Sequence, residues 1–152
     1  MAHVTRGFTL LETLIYIALL AVIMGGTLAA VYNVLQGAGR VSAHNTTQEE
    51  GNFVLRKIDW ALSSASNIVV APSTLTVGRY DGNTVDFRIN SGVVEMRESA
   101  GGFGYLPITT SNVAVGGLVF TNHPAVGAGP QGVTATLVID GLTFETTKYL
   151  PK

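Results

Sequence analysis

The sequence predicts an α+β protein. One long N-terminal helix, membrane-length in its first half and amphipathic in its second, packs on a C-terminal antiparallel β domain. Three observations predict this. No residue from Thr13 to Gly39 is formally charged, and Leu14 to Leu35 is mostly Leu, Ile, Ala, Val and Met. Arg40 to Ser66 has no proline and sets apolar residues at helical spacing. From Asn67 onward the pattern alternates and is rich in Val, Thr, Ile, Gly and Ser.

At about 1.5 Å per residue, the uncharged stretch easily crosses a hydrocarbon core of roughly 30 Å. It reads as a membrane helix. An ordinary secretory signal places its small-residue cleavage site after a short apolar core. Here Arg6 and Gly7 precede the run, which continues past "GGTLAA" through Val31 and Leu35. An uncut anchor with Arg6 on the inside satisfies the positive-inside rule. Gly25-Gly26 allows either bending or close helix approach, and the sequence does not choose between them. One residue resists the reading: Glu12 stands within the apolar run. Charge at a membrane helix centre costs on the order of 2.5–3.5 kcal/mol.

Beyond Gly39 the helix continues as an amphipathic segment. Val54, Ile58, Ala61, Leu62 and Ala65 share one face, which is expected to pack on a globular domain. Phe53 and Trp60 form a second apolar line, while Arg56, Lys57 and Asp59 lie largely between or opposite. Gly51 weakens the helix by about 1 kcal/mol relative to alanine without forbidding it.

The strands follow. "TLTVGR", "TVDFRI" and "VVEMRE" alternate, with Asp81-Gly82-Asn83 and Asn90-Ser91-Gly92 as tight turns between them. "AVGGLVF" is another strand, its Gly116-Gly117 pair suggesting a bulge. "VTATLVID" and "LTFETTKY" form a hairpin turned by Asp140-Gly141. Ser99 to Gly104 and Thr121 to Gly132 read as loops. The expected division is 1–7 header, 8–39 membrane helix, 40–66 amphipathic helix and 67–152 β domain.

Composition excludes several function classes. Charged residues are 12% of the chain, about half the usual share, and the net charge is −1. No basic patch points to nucleic acid. With no cysteine, disulfides, thiolate metal sites and thiol nucleophiles are impossible. His3, His44 and His123 lack ligand spacing, so no metal is expected. Asp81 and Asp140 read as turn formers rather than calcium ligands. Asn45-Thr46-Thr47 fits a glycosylation acceptor, a pattern that chance readily supplies. No nucleophile elbow or phosphate loop is visible, so no catalytic residue, cofactor or enzymatic activity is expected.

The segment Arg6-Gly7-Phe8-Thr9-Leu10-Leu11-Glu12, followed by the apolar helix, resembles the prepilin signal of type IV pilins and type II secretion pseudopilins. The resemblance covers about the first fifth of the chain. It implies that a membrane prepilin peptidase cuts between Gly7 and Phe8 and methylates the new amine of Phe8. It also implies that the helix anchors first in inner-membrane lipid and later forms a filament core with other pilin or pseudopilin subunits, built on an inner-membrane assembly platform. Glu12 would then lie one turn from the new terminus and meet the Phe8 amine of a neighbour. Such a pair is worth more in low dielectric than in water, and leaving one member unpaired is penalised. The implied fold is pilin-like, with the β domain outside the cytoplasm.

The strand order of the C-terminal region is also similar to the J-type minor pseudopilins. Together with the absence of the disulfide-closed loop common in major pilins, it implies a minor subunit at the filament tip. Its partner surface would be either the helix around Phe53 to Trp60 or the glycine-rich loops. The alternative function is a signal-anchored β-domain binding module, which needs neither cleavage at Gly7 nor Glu12. A secreted hydrolase on a β scaffold is the other.

Overall fold

The computed structural model describes residues 9–127 and 129–151. Among the described residues are one α-helix, α1 (Leu10–Ser63), a short 3-10 helix (Ser99–Gly101) and eight strands: β1 (Ala65–Ala71), β2 (Thr74–Arg79), β3 (Thr84–Asn90), β4 (Val93–Glu98), β5 (Leu106–Pro107), β6 (Val115–His123), β7 (Gly132–Ile139) and β8 (Leu142–Tyr149). The chain divides into two compact units, with the boundary after Ala43. In the first unit, Leu10 to Ala43 is helical and nearly all exposed. The second holds the remainder of α1 and both sheets.

All strand pairs are antiparallel. One sheet runs β1-β2-β3-β4-β5 and the other β6-β7-β8. The first residue of the β3–β4 turn, Ser91, has φ 51° and is followed by Gly92 at 76°. Asp140 at 49° and Gly141 at 79° turn β7 into β8. Both are two-residue turns with positive φ, whose twist matches that of the flanking strands. The expected bulge is present: pairing of β6 with β7 slips between Val115 and Gly117. Backbone bonds from Val115 N–H to Gly92 O and from Phe120 N–H to Pro72 O tie β6 to the turns at one end of the larger sheet.

The predicted helix face is the buried one. Val54, Ile58, Ala61 and Leu62 are inaccessible to water, and pack with Leu75, Val77, Phe87, Val94, Leu137 and Ile139. Each Val, Leu, Ile or Phe side chain among them contributes about 1.5–3 kcal/mol on full burial. The outer face of β3 and β4 is polar. There Asp86 opposes Arg97 and Arg88 opposes Glu95 in register, each as an ion pair. Both guanidinium groups stack on Tyr105, at 3.6 and 4.7 Å from its centroid.

Three expectations need correction. The helix ends at Ser63 rather than Ser66, and Ala65 is buried as the first residue of β1, paired with Arg79. The Ser63 and Ser64 hydroxyls turn back to the carbonyls of Asp59 and Ala61, the local competition that makes serine a helix-ending residue. Strands β1 and β5 were not expected. The loop expected from Thr121 to Gly132 is shorter, since β6 runs through His123 and β7 starts at Gly132.

Gly51 has a role that propensity alone conceals. A Cβ there would lie 2.6–2.7 Å from three atoms of the Phe144 ring, so the glycine forms the socket for β8 against α1. Asp140 is a second clamp. Its carboxylate accepts the Ala114 N–H at 2.9 Å and the Thr47 hydroxyl at 2.7 Å, joining the hairpin turn to the loop before β6 and to the buried Thr47 of the helix. These hydrogen bonds, the Ala114 N–H first and the Thr47 hydroxyl second, hold its carboxyl below the ordinary range.

Two predictions follow from these clamps. Gly51→Ala gains about 1 kcal/mol of helix propensity, but overpacking costs typically 1–3 kcal/mol. A lowered melting temperature of the full chain in detergent is expected, with recovery on adding Phe144→Leu. Asp140 has its folded pKa below its unfolded value, near 3.9. Its contribution is therefore complete above about pH 4 and fades as pH falls through the folded value. The stability gap between wild type and Asp140→Asn, measured by urea unfolding, should be open at pH 6 and narrow towards pH 3.

Candidate processing and assembly site

Gly7 and Phe8, the expected cleavage pair, lie outside the described residues. The site begins at Thr9, which caps α1. Its carbonyl accepts N–H groups from Glu12 at 3.0 Å and Thr13 at 3.2 Å, and its Oγ1 also lies 3.3 Å from the Glu12 N–H. Thr9-Leu10-Leu11-Glu12 thus has the spacing of a capping box, with the acid at the third helical position. A carboxylate there also faces the positive end of the helix dipole. The local sequence therefore favours a helix start at this point, and Glu12 belongs to it.

One turn on, the Tyr16 hydroxyl donates to Glu12 Oε1 at 3.3 Å. Thr9 and Tyr16 were missed as site residues, although the T-x-x-E spacing and the four-residue interval from Glu12 were both legible. The threonine hydroxyls further along the apolar helix are satisfied within it. Thr13 bonds the Leu10 carbonyl at 2.9 Å, and Thr27 bonds those of Ile23 and Met24, each at 2.9 Å. A helix in lipid has to satisfy its polar groups in this way, because no water is available.

The apolar side chains of this helix are uncovered. Leu10 is 82% exposed, Val22 76% and Val34 71%. A stretch of α1 is long and apolar enough to cross a membrane. Soluble monomers rarely expose more than a few hundred Å² of contiguous apolar surface, so this face requires lipid or other helices. Around Gly25 and Gly26, no atom of the described residues beyond the local helix backbone would meet an added Cβ within 4 Å.

A second surface lies on the helix in the β-bearing unit. Phe53 and Trp60 remain outside the core, at 39% and 41% exposure. The Lys57 ammonium sits 5.7 Å from both ring centroids, and the Arg79 guanidinium is 4.9 Å from that of Trp60. The other singled-out residues have structural partners. Asp81 accepts the Asn83 N–H at 3.0 Å, which holds its carboxyl below the ordinary range. His44 lies 3.0 Å from the Gln48 amide, and His123 lies 2.8 Å from the Thr134 hydroxyl. Among the described residues no cluster of three or more potential ligands could hold a metal ion.

Residues 3–28 match the family described as the prokaryotic N-terminal methylation motif. No curated protein and no solved structure matches the chain. The motif implies processing by a prepilin peptidase and assembly with other pilin subunits, and it points to a structural subunit rather than an enzyme. With the apolar helix it supports an inner-membrane-anchored pilin. This motif, the long N-terminal helix and the antiparallel sheets that follow it support a pilin-like or pseudopilin-like precursor.

Proposed function

We propose that the protein is a minor, tip-proximal subunit of a type IV pilus or type II secretion pseudopilus. In this reading a prepilin peptidase cleaves between Gly7 and Phe8 and methylates Phe8. Before assembly the chain spans the inner membrane once, with residues 65–151 outside the cytoplasm, and an inner-membrane platform then adds it to the filament. The observation that carries the reading is the uncovered apolar helix bearing Glu12 under a methylation motif. The similarity of its strand order to J-type minor pseudopilins supports the minor role.

Glu12 acts in this scheme by charge pairing. In a bundle of such helices, the Phe8 amine of a neighbour would supply the cation that hydrocarbon cannot. Attraction in low dielectric is strong, and an unpaired buried charge is heavily penalised. The carboxylate thereby favours assembly and sets axial register.

Mass spectrometry of sheared, purified filaments tests the proposal. The mature chain should begin at N-methylated Phe8 and be scarce beside a major pilin. A chain that retains Met1 or starts after Ala30 would sink the reading, and a dominant chain would sink the minor role. Glu12→Ala should leave membrane insertion unchanged or improved while incorporation falls, and Glu12→Lys should be worse because two positive groups then meet. Wild-type incorporation of the alanine variant would refute the pairing.

A further inference from the structure

We propose that Tyr16 is a positioning residue for Glu12, its hydroxyl holding the carboxylate on one side of the helix before a neighbouring amine is available. The inference rests on the assembly role proposed for Glu12. An ionised carboxylate is acceptor-only and must be met by donors. In the hydrocarbon core no water supplies them, and near the interface a donor on the same helix face meets the carboxylate without drawing water inward. Residues four apart on a helix share a face, and the Tyr16 hydroxyl reaches Glu12 Oε1 at 3.3 Å. From Thr9 to Ala43, Glu12 is the one half-buried residue.

Hydropathy alone does not account for the tyrosine. Phenylalanine would serve an apolar helix equally well and lacks only the donor. The carboxylate is thus carried in a partly satisfied state, and the same bond restricts its rotamers to those facing one side. Pre-positioning of this kind lowers the ordering cost of making the intersubunit pair. The competing role for Tyr16 is an interfacial aromatic anchor, which would act without reference to Glu12.

A two-residue cycle separates these roles. Incorporation into sheared filaments is measured by quantitative mass spectrometry for wild type, Tyr16→Phe, Glu12→Ala and the double variant, each normalised to its mature membrane pool. Tyr16→Phe should lower incorporation roughly fivefold in the wild-type background, the scale of an ordinary net hydrogen bond, and add nothing in the Glu12→Ala background. An equal loss in both backgrounds, or none in the first, overturns the proposal. Infrared spectra of the full chain in lipid nanodiscs test the bond before assembly. The carboxyl band displaced by Tyr16→Phe should be the one that Glu12→Ala removes, and unshifted carboxyl bands overturn the proposal. If Glu12→Ala enters filaments at wild-type levels, the assembly reading fails, while the infrared comparison still decides whether Tyr16 holds the carboxylate.

Discussion

The first half of α1 carries apolar side chains that its own chain does not cover, and the functional reading depends on this. Removing such surface from water is worth about 25 cal/mol per Å², so a helix with Leu10, Val22 and Val34 mostly exposed cannot rest in water. Lipid and a bundle of like helices are two solutions to the same constraint. Either one satisfies leucine and valine. They differ for a carboxylate, because hydrocarbon offers no cation and a neighbouring helix terminus can.

Glu12 joins that constraint to the start of the helix. Its N–H is capped by Thr9 and its carboxylate meets Tyr16, so one acid takes part in helix initiation and in side-chain pairing along the same face. A polar group placed in the first turn, near the interface, avoids most of the penalty it would meet at the bilayer centre. Position therefore matters as much as residue type.

In the β-bearing unit the helix is a structural wall. Its aliphatic line enters the core, Gly51 receives Phe144, and Asp59 pairs with Lys148 at 3.2 Å. Asp140 and Thr47 close the same unit from the hairpin end. These contacts hold one helix face against the sheets and leave Phe53 and Trp60 on the outside under Lys57 and Arg79.

Much of this was legible from local pattern. The uncharged run marked the long apolar helix whose side chains stay uncovered, and the spacing of Val54, Ile58, Ala61 and Leu62 identified the buried face. Asp140-Gly141 and Ser91-Gly92 marked their turns, because few residues tolerate positive φ. The helix end was less legible, since "SSASNIVVA" holds neither glycine nor proline and becomes strand only by pairing with β2. Gly51 looked like a defect until Phe144 filled the space beside it, and Asp140 looked like a turn former until Thr47 arrived from 93 residues away. What the sequence by itself determined are the features set by local pattern: the apolar helix, the acid near its start, the hairpins and the aliphatic face. Tertiary structure decided the socket, the clamp and which aromatic line stays exposed, because those depend on side chains that meet only after the intervening chain has folded.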